Sequence, residues 1–130
     1  MNLLDENFPL DQAQLLRRWR IPFRVIGRDI SFAGVQDPDI VPLLHRIGGV
    51  TFFTQDEDFF ERRFCHTRYC LAFLNVRADD AATCLRRFLR HHTFRTRAGR
   101  MGIVARVHYE AIHFWRLGIT RLQKADWDGH

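Results

Sequence analysis

The 130-residue chain has little of several things, and each shortage excludes something. It has no apolar run near the ~18 residues that a membrane-spanning helix needs. Its start, "MNLLDENFP", carries acids and no basic segment ahead of an apolar one, so no secretory signal and a cytoplasmic location are expected. Its three cysteines, Cys65, Cys70 and Cys84, are odd in number and show no CxxC or Cys/His metal spacing, which excludes a disulfide framework and a zinc-ribbon-like site. There is no GxSxG, no GxGxxG, no glycine-rich phosphate loop and no HExxH, so no common nucleophile, dinucleotide or zinc-protease signature competes. Repeats and low-complexity segments are absent. Lysine is nearly absent too: Lys124 is the lone lysine among 20 Lys and Arg.

What is present is an ordinary globular composition, 46% hydrophobic and 27% charged, in a chain of one-domain length. The net charge of +5 is unevenly distributed. Residues 1–65 hold eight Arg against ten acids, and residues 66–130 hold twelve Lys and Arg against five. Excess arginine in one half suits a polyanionic partner such as a nucleic acid.

Periodicity gives the elements. A short apolar strand ends at Asp5. "LDQAQLLRRWR" (10–20) has helical spacing, with Pro9 placed for its first turn. "PFRVIG" (22–27) reads as a second strand. "DPDIVPLLHRIGG" (37–49) reads as a helix capped by Asp37 and stopped by two glycines. "VTFFT" (50–54) and "CLAFLNV" (70–76) are apolar throughout, as buried parallel strands are. Residues 57–68 suggest a short helix or loop and 79–92 another helix. Residues 101–118 suggest either a hairpin at the sheet edge or one long strand. This alternation predicts an α/β fold with a mostly parallel central sheet and helices on both faces, a domain over 1–120 and a tail over 121–130.

In such a sheet, ligands bind beyond the carboxyl ends of the strands. Asp5 and Glu6 end the first strand, and "TFFTQDEDF" places Asp56, Glu57 and Asp58 just after the third. Asp37 and Asp39 open the intervening helix and can reach the same edge. Hard oxygen ligands gathered in this way suit Mg²⁺ or Mn²⁺. Glu57, alternating with its neighbours, faces away. Asp37 also serves as a helix cap.

Together, "LLDENFP", "DPDI" opening a helix and "TFFTQDEDF" after a strand resemble the PIN-like nuclease superfamily, and within it a small group with the pattern LLDEN followed by T-x-D-x-DF. The resemblance covers residues 1–76. It implies a three-layer α/β/α PIN-like fold and a metal-dependent endoribonuclease whose catalytic and metal-holding residues are Asp5, Asp39, Asp56 and Asp58. Asp39 stands where that group usually has Glu. Glu6, Asp37 and Thr54 would support the site. The resemblance also implies a toxin–antitoxin setting, with an antitoxin protein as partner, and a homodimer.

The arginines expected to grip RNA are Arg17, Arg18, Arg28, Arg62 and Arg63, placed by sequence near the acidic edge, and Arg87 and Arg90 in the dense stretch "RRFLRHHTFRTR" (86–97). Phe88 has core spacing. Phe94 is open between core packing and base stacking, and His91 and His92 read as solvated or facing RNA. A catalytically inactive RNA- or partner-binding module is the alternative, and the residues do not separate RNA from DNA.

Overall fold

The computed structural model describes residues 1–28 and 37–127, the side chains of 37–39 excepted. Its elements are β1 (Asn2–Leu4), α1 (Leu10–Arg18), β2 (Arg24–Val25), α2 (Asp37–Ile47), β3 (Val50–Thr54), β4 (Tyr69–Leu74), α3 (Ala81–Arg90), α4 (Arg97–Arg100), β5 (Ile103–Val107), β6 (Ala111–Arg116) and β7 (Gln123–Asp126). The seven strands form one sheet in the order β2-β1-β3-β4-β5-β6-β7. The pairs from β2 to β5 are parallel, and β6 and β7 add antiparallel.

Burial explains why the middle strands read as continuous apolar runs. Every residue of β3 and β4 is buried, because both faces of these strands are covered. Leu4, Phe53, Ala72 and Ala105 join the core on one face with Leu16 of α1 and Leu85 and Phe88 of α3. Leu3, Phe52, Leu71 and Val104 join the other with Ile40, Leu43 and Leu44 of α2. Three layers result. α1 and α3 share a face, yet β1 to β2 and β4 to β5 step in opposite directions across the sheet, so these two crossovers have opposite hand. The second face over β5 and β6 is covered instead by two 3₁₀ turns, Glu57–Phe59 and Arg62–Phe64, which bring Phe59, Phe60 and Phe64 onto it. These turns, rather than one helix, fill the stretch 57–68.

The helix at 37–47 runs through Pro42 and ends at Gly48 and Gly49, with φ of 68° and 67°. A Cβ on Gly48 would meet only the mobile end of the Arg68 side chain, so it is the positive φ that favours glycine there.

Two expectations are corrected and two open readings are settled. The chain from 121 is not a tail up to its end: Gln123–Asp126 pairs with β6 as an edge strand, and Trp127 donates from Nε1 to His108 O at 2.8 Å. Phe94 is fully buried, stacked on Phe88 and edge-on to Phe114, so its ring is not offered to a base. His91 is buried rather than solvated, with Nε2 at 2.8 Å from Asp126 O. The stretch 101–118 is the β5–β6 hairpin, and β5 lies inside the sheet, not at its edge. Among the described residues, no helix is long and apolar enough to cross a membrane.

Candidate functional site

The first five strands have the order 2-1-3-4-5, whose connections diverge between β1 and β3. α1 leaves β1 over one face and the 3₁₀ turns leave β3 over the other, which opens a crevice at the carboxyl ends of those two strands. Asp5 follows β1 and continues its ladder, its N–H donating to Phe53 O at 3.0 Å. That register sets Asp5 beside Thr54, the last residue of β3. Thr54 is wholly buried; its Oγ1 donates to Asp5 Oδ2 at 2.8 Å and accepts from Asp56 N at 3.0 Å. One hydroxyl thereby ties together the two acids that follow the two strands.

Each carboxylate also shapes its own loop. Asp5 Oδ1 accepts from Asn7 N at 3.1 Å, and Asp56 Oδ1 accepts from Asp58 N at 2.9 Å, capping the 3₁₀ turn. Asp5, Asn7, Phe8, Gln55 and Asp56 line a cavity of ≈ 250 Å³. Gln55 closes one side by donating from Nε2 to Val76 O at 2.9 Å.

Asp58 does not share this cavity. It lines a neighbouring one of ≈ 610 Å³ with Val41 and Pro42 of α2, Phe59, Glu61, Arg63 and Phe64. Asp37 and Asp39 lie in the first turn of α2, and their side chains fall outside the described residues. Glu6 leans towards β2, its Oε2 3.4 Å from where a Cβ on Gly27 would sit. Among the described residues, no group of three or more His, Cys, Asp or Glu is placed to enclose an ion. The pair Asp5 and Asp56 nonetheless suits Mg²⁺, which is commonly held by one or two carboxylates and keeps several waters. Their donor atoms are hard oxygens facing an open cavity, so Mg²⁺ or Mn²⁺ fits them better than a soft, fully enclosed ion.

The arginines are scattered. Arg28 is exposed at the end of β2, on the acidic edge. Arg63 pairs with Glu61 beside Asp58 and lies over the Phe64 ring at 4.5 Å. Arg62 reaches Thr120 O at 3.4 Å. Arg87 stacks over Trp127 at 4.0 Å, lining a third cavity with Asp80, Thr83, His108 and Tyr109, while Arg90 is exposed at the end of α3. Arg17 and Arg18 close α1, about 14 Å along the helix from its start beside the acids, and so stand at the opposite edge from the one expected.

Sequence reasoning missed Gln55 and Asn7 as cavity walls. Both sit inside the singled-out motifs, so adjacency to the acids was the available signal. It also missed Tyr109, which donates to Asp80 Oδ2 at 2.6 Å, a pairing set by tertiary structure alone.

Thr54→Val keeps the volume and removes both hydroxyl bonds. We expect a loss of about 2 kcal/mol, mostly from the unpaired groups left behind, read as a lower denaturant midpoint. No shift in that midpoint would mean that the hydroxyl does not organise the acids.

No family model, no curated protein and no solved structure matches the chain.

Proposed function

We propose that the protein is a metal-dependent endoribonuclease, with Asp5 and Asp56 as the carboxylates of its centre. The observation that carries this reading is the Thr54 hydroxyl joining both acids under one cavity at the point where the sheet's connections diverge. The motif resemblance to PIN-like nucleases supports the chemistry, and the three layers are compatible with that fold.

In this reading Asp5 and Asp56 hold Mg²⁺ or Mn²⁺; Asp58, which lines the neighbouring cavity, and Asp39, in the first turn of α2, are the candidates to complete the ligand set. When bound, the ion supplies a Lewis acid for water and for the phosphate under attack. Thr54 fixes the Asp5 carboxylate in one orientation, and the Asn7 and Asp58 amides hold the free rotations of Asp5 and Asp56. Pre-set ligands need no reorganisation as charge develops. Gln55 and Asn7 wall the cavity and offer amide donors to a phosphate oxygen. Arg28 and Arg63 stand nearest among the arginines expected to hold the RNA backbone; Arg87 faces the cavity with Asp80 and Tyr109, and Arg90, in the last turn of α3, lies further from the acids. A cytoplasmic toxin restrained by an antitoxin, acting as a homodimer, is the setting that this reading favours.

A second reading is favoured by one observation, the lack of a third enclosing ligand among the described residues. It is an RNA- or partner-binding module that cleaves nothing. Incubation with single-stranded RNA separates the two. The nuclease reading expects cleavage with Mn²⁺ or Mg²⁺ that EDTA abolishes. Intact RNA at every metal concentration, from a protein shown to be folded, would leave the binding module.

A further inference from the structure

The charge of the molecule is sorted by edge. Of the 15 Asp and Glu, Asp29, Asp37, Asp39 and Asp128 have no described side chain. Every other acid follows β1, β3 or β4, opens α1, lies in the 57–61 segment, fills the β5–β6 turn or ends β7. All of these places are on the carboxyl side of the parallel strands or on the covering segment. At the amino edge, where β1, β2, β3 and β4 begin, the described residues supply no carboxylate and many arginines.

Two adjoining cavities open on that edge. One, of ≈ 470 Å³, is lined by Met1, Asn2, Pro22, Phe23, Arg24 and Arg100. The other, of ≈ 300 Å³, is lined by Arg17, Arg20, Ile21, Pro22 and Phe23. Pro22 and Phe23 form the wall between them. Arg17 lies over the Phe23 ring at 5.2 Å.

Part of this charge has an internal explanation. Arg17 and Arg18 lie in the last turn of α1, where cations offset the helix dipole. That does not account for Arg24, on a strand, or for Arg100. Arg100 is only 9% exposed, and its bonds go to neutral acceptors: Nε to Thr51 Oγ1 at 2.9 Å and Nη1 to Phe94 O at 2.8 Å. Burial lowers its pKa, and Arg97 nearby adds to that. A guanidinium taken out of water normally gains a carboxylate or phosphate in exchange. No described side chain offers one here.

We propose that this amino edge is a second nucleic-acid surface, which binds a single-stranded RNA segment with one phosphate in the Arg24–Arg100 cavity and the next stretch along Arg17 and Arg20. Phe23, which borders both cavities, and the Arg17 guanidinium over its ring give an unpaired base a cation–aromatic pair to pack against. That pair favours RNA over an acidic peptide, which would use the charges but not the aromatic ring. β3 spans about 16 Å between the two edges, so the segment held here is distinct from any strand at Asp5. The proposal stands whether or not the carboxylate centre cleaves.

The test is binding of a short fluorescein-labelled oligouridine to the full chain in EDTA, followed by anisotropy across a salt series. Arg24→Ala and Arg17→Ala should each weaken binding by ~3- to 10-fold and lower the salt slope by about 1, and Arg24→Glu should weaken it further. Phe23→Ala should weaken binding without changing the slope. Arg24 and Arg17 are exposed, so circular-dichroism melts should show both variants folded, Arg17→Ala slightly less stable for its lost helix-end charge, whereas Arg100→Ala removes a buried side chain and is not relied on. Unchanged affinity and slope in Arg24→Glu would overturn the proposal. So would oligoglutamate displacing the oligouridine at lower concentration than unlabelled RNA does, which would assign the edge to an acidic protein partner. Absence of cleavage in Mn²⁺ would leave this measurement untouched.

Discussion

Asp5→Asn and Asp56→Asn should each abolish Mn²⁺-dependent RNA cleavage, with a loss of at least ~100-fold, while the protein stays folded. A metal ion contributes several kcal/mol to stabilising a phosphoryl transition state, and each 1.36 kcal/mol is tenfold in rate. With two carboxylates lining the cavity, loss of one formal charge removes half of the anionic ligand set given by the described side chains. The structural cost is smaller. Asn retains Oδ1, so the bonds from Asn7 N and Asp58 N survive. At Asp5 the new amide nitrogen faces the Thr54 hydroxyl, which can turn its proton elsewhere and accept instead. We expect about 1 kcal/mol of destabilisation from that exchange. The informative comparison is therefore rate against melting temperature. Cleavage at the parental rate in both variants would remove the carboxylate centre. Loss of cleavage with a collapsed melt would show only that the two acids are turn formers, which their hydrogen bonds also make them. Asp58→Asn should have a weaker effect than either, because Asp58 lines the neighbouring cavity.

The strands that position the centre were readable because burial on both faces leaves no room for polar alternation. "VTFFT" is β3 to the residue, and "CLAFLNV" differs from β4 only at its ends. Asp5 and Asp56 were readable for the same reason: polar residues directly after buried strands have only the sheet edge to occupy. The side on which Asp58 emerges was not. It depends on Asp56 capping a 3₁₀ turn, a local geometry that the same residues would not have needed in a helix. β7 was missed because "QKAD" has no apolar face; it is a strand because β6 offers it an unpaired edge. The arginines were misplaced most. Nearness in sequence put Arg17 and Arg18 beside Asp5, yet a helix that leaves a strand's carboxyl end carries its own last turn to the amino edge. The basic second half of the chain likewise did not fold into one basic face. Its arginines include Arg87, stacked on Trp127, and Arg100, buried under β3.

Phe94→Ala should lower stability by ~3–5 kcal/mol, within reach of the whole stability of a domain this size. The ring is fully buried, lies 4.9 Å from Phe88 and 5.2 Å from Phe114, and closes the face formed by α1 and α3. Removing it leaves a cavity ringed by stiff aromatic groups that cannot collapse inward, and it forfeits two ring pairs worth about 0.5–1.5 kcal/mol each beyond their buried area. The Arg100 bond to the Phe94 carbonyl survives, because the acceptor is backbone. Urea denaturation of parent and variant measures the loss. At a temperature where both remain folded, oligouridine affinity should be equal, since nothing buried there can meet a base. A stability change under ~1 kcal/mol together with weakened RNA binding would reverse the assignment and bring the ring back to the surface, which would in turn undo the placement of Phe88, Phe114 and α3 against that face of the sheet.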